Sequence, residues 1–337
     1  MTIKVGIVGF GTIGKRVADA VNLQQDMKVI GITAKSYNYR IMNAAKQGMP
    51  VFTVEGADEL PGISVQGDIK DLCKEADIIL DCAPKPMGKE NKGNYYVPNK
   101  VKAVFQGGEK ANVGQCSFTA QCNYKESVNK DYVRVVSCNT TGLSRSLKAL
   151  DDAFGVDFVR ATLVRRGTDP GEIKKGPINA IVPAMELPSH HGPDVRTVLP
   201  DMEVFTTAII VPTTIMHMHT LSVVLKRGMN GITVDDVLKT FKDQARIRVV
   251  SSKEGIHSTA QICELARDLG HKRGDMMDLC VWKEGMGLHH GELFFMQAVH
   301  QESIVVPETV DCIRAMMGEE DAEKSMLLTN KSLGMKH

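Results

Sequence analysis

The sequence predicts an α/β chain of two parts: a doubly wound parallel-sheet domain, then an α+β domain with a mostly antiparallel sheet. Three observations predict it. A strand pattern, a glycine-rich loop and a helix pattern open the chain; strand and helix patterns alternate as far as residue 138; beyond it, longer β-rich runs follow one another with few helical crossovers. The length of 337 residues leaves room for two domains. They are placed at 1–138 and 139–306. Residues 307–337 read as helix, and the sequence leaves open whether they fold back on the first domain.

The first element is a β-rich run at 4–8, followed by Gly9-Phe10-Gly11-Thr12-Ile13-Gly14, helix formers at 15–21 and a second β-rich run at 28–33. This βαβ unit carries the Rossmann dinucleotide fingerprint. Gly9 permits a tight turn, Gly11 lets backbone approach a pyrophosphate, and Gly14 lets helix and strand pack closely, while the helix N-terminus offers N–H groups to phosphate. The second strand ends in Thr33-Ala34-Lys35-Ser36 where an acid usually holds the ribose hydroxyls. With Lys35 in place of a carboxylate, NADP is expected to bind at least as readily as NAD.

The alternation continues with an Asp68-capped helix to residue 76, a strand at 78–82, a helical stretch at 89–96, and strands near 103–105 and 133–137. A helix starts near Asn139. β-Rich runs at 158–165, 204–211 and 216–225 follow, then helical patterns at 234–242 and 259–269.

Composition narrows the class of function. Forty-one Lys and Arg against forty Asp and Glu give a net charge of +1, so no overall field marks nucleic acid or a membrane surface as partner. Apolar stretches such as 76–83 fall far short of the roughly 18 residues a membrane helix needs. No cleavage site follows the N-terminal apolar run, so no secretory signal is expected and the address reads as cytoplasmic. The eight cysteines show no CxxC and no finger-like spacing with histidine, which predicts reduced thiols that are mostly buried filler.

Ser137-Cys138-Asn139-Thr140-Thr141-Gly142 lies where a strand gives way to a helix. A thiol there meets the positive end of the helix dipole and its N–H donors, which favour thiolate and can hold an oxyanion. Cys138 is thus a candidate nucleophile. Imidazoles cluster at Met216-His217-Met218-His219, and on a strand His217 and His219 share one face. Either suits a general base. No carboxylate or thiolate accompanies them, so no metal is expected. Arg165 and Arg166 end a strand, and a guanidinium matches phosphate bidentately; Thr140, Thr141, His191 and the Gly192 backbone can add neutral donors.

GFGTIGKRVADAV at 9–21 and SCNTTG at 137–142 are joined by four further blocks: Phe105-Gln106-Gly107-Gly108-Glu109-Lys110, Lys175-Gly176-Pro177-Ile178-Asn179-Ala180, Pro188-Ser189-His190-His191-Gly192-Pro193 and Ala298-Val299-His300-Gln301-Glu302-Ser303. Together they resemble the archaeal type of glyceraldehyde-3-phosphate dehydrogenase over essentially the whole chain. The resemblance implies phosphorylating oxidation of D-glyceraldehyde 3-phosphate, with inorganic phosphate and NAD or NADP, to 1,3-bisphosphoglycerate through a Cys138 thiohemiacetal and thioester. It implies His217 as the base, substrate contacts at Ser137, Cys138, Asn139, His191 and Gly192, cofactor contacts at Thr12, Ile13, Gly108, Arg166 and Gln301, and a homotetramer. Arg166 can serve substrate or nicotinamide. Another semialdehyde dehydrogenase and a nucleotide-binding redox sensor using Cys138 are the alternatives.

Overall fold

The computed structural model describes residues 2–106, 108–170, 176, 179–226, 228 and 231–336. The chain forms two units, one made of Met1–Ser137 with Val306–Leu333, the other of Cys138–Val305 with Gly334–His337.

The first unit is built on eight strands: β1 (Ile3–Val8), β2 (Met27–Ala34), β3 (Val51–Thr53), β4 (Val65–Asp68), β5 (Ile78–Asp81), β6 (Lys102–Phe105), β7 (Cys116–Phe118) and β8 (Tyr132–Val135). They lie in the order β4-β3-β2-β1-β5-β6-β8-β7, every pair parallel. Parallel strands are covered on both faces, so central ones read as unbroken apolar runs. Ile78, Ile79 and Leu80 of β5 are fully buried, each contributing about 1.5 to 3 kcal/mol. The strand order reverses between β1 and β5, and at such a switch point a crevice opens beyond the carboxyl ends of the strands. The helix Ile69–Glu75 is capped by Asp68, whose carboxylate accepts from the N–H groups of Lys70 and Asp71. The segment 89–96, expected as one helix, is a helix at Met87–Asn91 that widens into a π turn over Lys92–Tyr96. The C-terminal helices Val306–Met316 and Ala322–Leu333 belong to this unit. Arg314 of the former holds Asp26 at 2.7 Å and Gln24 at 2.8 Å, both just before β2.

The second unit carries β9 (Val156–Arg166), β10 (Val182–Pro183), β11 (Val204–Val211), β12 (His217–Leu225), β13 (Ile247–Val250), β14 (Leu279–Trp282), β15 (Gly287–His289) and β16 (Glu292–Val299). Seven run in the order β10-β11-β9-β12-β16-β14-β13, with β15 on β16. The sheet is mixed: β9 with β11 and β13 with β14 are parallel, the other pairs antiparallel. Along β12 burial alternates, and His217, His219, Leu221, Val223 and Leu225 face inward. The long helix Cys138–Phe154 covers that inner face.

Candidate active site

The glycine loop at the end of β1 divides its labour as its spacing predicts. Gly9 has φ +87°, and a Cβ there would meet the Ala83 nitrogen and the Cys82 carbonyl carbon, both at 2.9 Å. A Cβ on Gly14 would lie 2.0 Å from the Gly9 carbonyl oxygen, whereas one on Gly11 would have nothing within 4 Å. Two glycines therefore let the chain fold on itself, and the third leaves open the space that an approaching pyrophosphate needs. Thr12 and Ile13 lead into the helix Gly14–Asn22, and Thr33 Oγ1 accepts from the Gly9 N–H at 3.1 Å, tying the loop to β2. Lys35 is exposed just past β2. Arg40 was not singled out from the sequence; it hydrogen-bonds the Tyr39 hydroxyl at 3.2 Å. That contact comes first, and Arg40 and Lys15 charges add to it, in lowering the Tyr39 pKa, so a basic patch extends beyond Lys35. Gly108 is exposed at the end of a turn after β6. The residues of this loop fit a dinucleotide.

In the second unit Cys138 is the first residue of its helix. Gly142 lets that helix approach the sheet, since a Cβ there would lie 2.4 Å from a methyl of Val299. The same closeness brings Asn139 onto His219. The helix end expected to favour thiolate is opposed by the thiol's surroundings. Burial pushes the Cys138 thiol up, against the pull of the Arg166 charge, the Asn139 N–H and the Arg165 charge. Packing around the sulfur works against the helix end, on a residue that keeps part of its exposure.

His217 is buried, and burial together with His219, Arg165 and Arg166 holds its pKa well below the usual imidazole range. It is neutral. Its Nδ1 accepts from the Arg166 backbone N–H at 3.0 Å, so its proton sits on Nε2, which has no partner among the described residues. A base needs a free lone pair, and this tautomer offers a donor instead. At rest His217 thus presents an Nε2–H, a donor. His219 has no exposure and is pushed down to about 3 by burial. Both its nitrogens are engaged, by Asn139 Oδ1 at 2.9 Å and Gln297 Nε2 at 3.1 Å. The two histidines share a face but not a role.

The adjacent arginines also part. The Arg166 guanidinium is spent within the unit: it pairs with Glu302 at 3.1 Å and with Asp169, and donates to the Thr168 carbonyl at 3.2 Å. Gln301 turns its amide oxygen to it at 2.6 Å. Arg165 makes no hydrogen bond or ion pair among the described residues, and its Nε is buried without a partner. Its charge acts on Cys138, His191 and His217. The neutral donors expected nearby are mostly committed. Thr140 donates to Asp194 at 2.6 Å, and the Gly192 N–H donates to Thr206 Oγ1 at 3.0 Å. Thr141 is fully buried, and His191 is 2% exposed and held down to about 3 by burial, then by His190 and Arg165. Among the described residues the donors left uncommitted are the Arg165 guanidinium, whose charge acts on Cys138, the His217 Nε2–H and one N–H of Asn139.

Ser137 is half-buried immediately before Cys138. Lys175, Pro177 and Ile178 of the block 175–180 lie outside the described residues, as does Gly107. Asp194 and Gln297 were missed in the sequence, although Gln297 carried a signal, a carboxamide at the inward register of β16 among Leu293, Phe295 and Val299. All eight cysteines are free, three buried and five partly exposed. Among the described residues Asp275, His300 and Glu302 place possible metal ligands within 4.8 Å of one another. Glu302 there pairs with Arg166, and His300 Nδ1 accepts from the Met276 N–H.

Comparison with known proteins bears on this geometry. Residues 137–284 match the family model described as glyceraldehyde 3-phosphate dehydrogenase, C-terminal domain. Proteins named glyceraldehyde-3-phosphate dehydrogenase from Methanococcoides burtonii, Methanopyrus kandleri and Pyrococcus furiosus are 51%, 49% and 48% identical. Each alignment covers 99% of this chain, and 99%, 97% and 99% of the respective relatives.

Proposed function

The chain belongs to the glyceraldehyde-3-phosphate dehydrogenase family, and from that premise we propose that it carries out the phosphorylating oxidation through Cys138. It is an NAD(P)-dependent oxidoreductase of glyceraldehyde 3-phosphate in glycolysis or gluconeogenesis. The observation that carries the proposal is a thiol at a helix start on which the Arg165 charge acts, in a unit where Arg165, His217 Nε2–H and one Asn139 N–H are uncommitted among the described residues.

Arg165 holds a phosphate group beside Cys138, because a guanidinium without an ion pair is the anion site the unit leaves open. Ser137, Thr140, Thr141, His191 and Gly192 would frame the substrate, with Thr140, His191 and Gly192 held by Asp194, Ser189 and Thr206. The Cys138 thiol gives its proton to solvent as sulfur bonds to the aldehyde carbon. The carbonyl pair moves onto oxygen, where His217 Nε2–H and Asn139 Nδ2–H stabilise it. A neutral imidazole acting as a donor avoids the cost of first charging a buried ring. NAD(P), when bound, would supply the hydride acceptor for this step. Gly9, Gly11, Thr12, Ile13 and Gly14 would hold its pyrophosphate, Lys35 the 2′-phosphate of NADP, and Gly108, Arg166 and Gln301, the last two held to each other, would be further contacts. Inorganic phosphate attacks the Cys138 thioester and sulfur leaves, taking up the proton that phosphate releases. Sulfur serves because it is both nucleophile and leaving group.

A redox sensor asks for a thiolate at rest, and the burial that raises the Cys138 thiol runs against it. The outer face of the second sheet, with Phe205, Phe294 and Met296 exposed, supports assembly with further copies into a homotetramer. Among the described residues no helix is long and apolar enough to cross a membrane, in keeping with a cytoplasmic address. Steady-state assays with NAD and NADP, with and without inorganic phosphate, test the proposal. Sustained turnover should require phosphate. Sustained release of free acid without it would make the enzyme non-phosphorylating.

A further inference from the structure

We infer that His219 and Gln297 are positioning residues, which with Ser189 and Thr206 order every proton in a buried chain and hold the Asn139 carboxamide one way round. The inference rests on the reading of Cys138 and its donors given above.

The order is forced from the backbone ends, where a carbonyl can only accept and an N–H can only donate. Thr206 donates to the Ser189 carbonyl at 2.9 Å and accepts from the Gly192 N–H at 3.0 Å. With its one proton spent, Thr206 Oγ1 accepts from Ser189 Oγ at 2.8 Å. Ser189 Oγ must then accept from His191 Nδ1 at 3.1 Å. An imidazole protonated on Nδ1 keeps its lone pair on Nε2, so the group facing it at 3.3 Å is the amide nitrogen of Asn139. The Asn139 oxygen therefore faces His219 Nε2, which carries hydrogen, and His219 Nδ1 accepts from Gln297 Nε2.

Sheet register places the last pair, since His219 on β12 stands opposite Gln297 on β16. Asn139 is 3% exposed, Ser189 and His191 2%, and Thr206, His219 and Gln297 have no exposure. Bulk water does not reach the chain to scramble it. Its consequence is that His191 and His219, both neutral, hold opposite tautomers, Nδ1–H and Nε2–H. Asn139 has then used its oxygen and one N–H. The second N–H, on the residue following the nucleophile, remains for the substrate oxygen.

The test has two arms, both on the full-length protein. Nitrogen-15 NMR of histidine-labelled wild type should show His191 as the Nδ1–H tautomer and His219 as Nε2–H. Equal tautomers, or the reverse pair, overturn the inference. In kinetics, His219→Leu should lower kcat/KM for glyceraldehyde 3-phosphate by roughly 10- to 100-fold, part of the loss expected for one oxyanion donor, with NAD(P) affinity unchanged. His219→Gln, which can still donate to Asn139 and accept from Gln297, should restore the rate to within about threefold of wild type. Gln297→Met should fall between them. Unchanged kinetics in His219→Leu also overturn the inference, as does equal loss in His219→Gln. If wild type fails to oxidise glyceraldehyde 3-phosphate, the functional reading falls and the tautomer arm still decides this one.

Discussion

Alanine at Gly11 and at Gly14 should have opposite consequences, although the two are three residues apart in one loop. At Gly14 the new Cβ lies 2.0 Å from the Gly9 carbonyl oxygen, more than 1 Å inside contact, and the atom it meets is backbone rather than the end of a side chain that could swing away. Overpacking of this kind costs on the order of 3 kcal/mol or more. For a unit of this size that corresponds to a fall of roughly 6 to 12 °C in Tm. At Gly11 the Cβ meets no atom within 4 Å, so stability should hold or rise by about 0.4 to 1 kcal/mol through the stiffer unfolded chain. The methyl would occupy the space needed by a pyrophosphate, and NAD and NADP should both bind about tenfold more weakly or worse, or about 1.4 kcal/mol. Thermal melts and cofactor titrations of the two variants measure this. Wild-type cofactor affinity in Gly11→Ala, or a wild-type melt in Gly14→Ala, would refute the assignment of roles within the loop.

Three further outcomes follow from the site. His217→Ala should cut kcat by roughly 10² to 10³, the loss typical of one oxyanion donor. The wild-type rate should climb with pH as the raised Cys138 thiol ionises, with no inflection from a buried imidazole; an acid limb near the ordinary histidine pKa that vanishes in His217→Gln would restore the base. His191 and His219 are depressed to about 3 in the folded chain, so the unfolded chain binds protons that the folded one does not. Stability should be intact above the free imidazole pKa of about 6.5 and fall below it by roughly 1 kcal/mol per pH unit for each ring. A urea midpoint that stays flat from pH 7 to 5 contradicts this. Lys35→Asp should raise KM for NADP about tenfold or more and leave NAD nearly unchanged, by loss of one charge-assisted contact. The wild-type preference should shrink with salt; equal loss for both cofactors would place Lys35 elsewhere.

The βαβ unit was legible because its glycine spacing and apolar runs are local, and steric limits at Gly9 and Gly14 are written in the loop itself. β3, β4 and β7, of three or four residues each, are too short to show a period, and only pairing with neighbouring strands makes them strands. The inward face of β12 was visible in the alternation of 216–225. The difference between His217 and His219 was not, because it depends on partners 51 and 78 residues away, Arg166 and Gln297. For the same reason the sequence could not divide Arg165 from Arg166: of the two carboxylates that engage Arg166, Asp169 is three residues on and within reach of either arginine by sequence, while Glu302 lies 136 residues on. At Cys138 the local argument, thiol at a helix end, captured the N–H groups and left out the burial that opposes them. Burial is a property of the assembled unit.

The account stands on a covalent intermediate at Cys138, and a single-turnover measurement without inorganic phosphate tests that directly. Mixing the holoenzyme with excess glyceraldehyde 3-phosphate should produce a burst of reduced cofactor equal to the number of sites and then stop, with the acyl group found by peptide mass on Cys138. Added phosphate should release it and restart turnover, and Cys138→Ser should bind cofactor yet give no burst. Continued turnover without phosphate, or an acyl group on any other cysteine, would contradict the account.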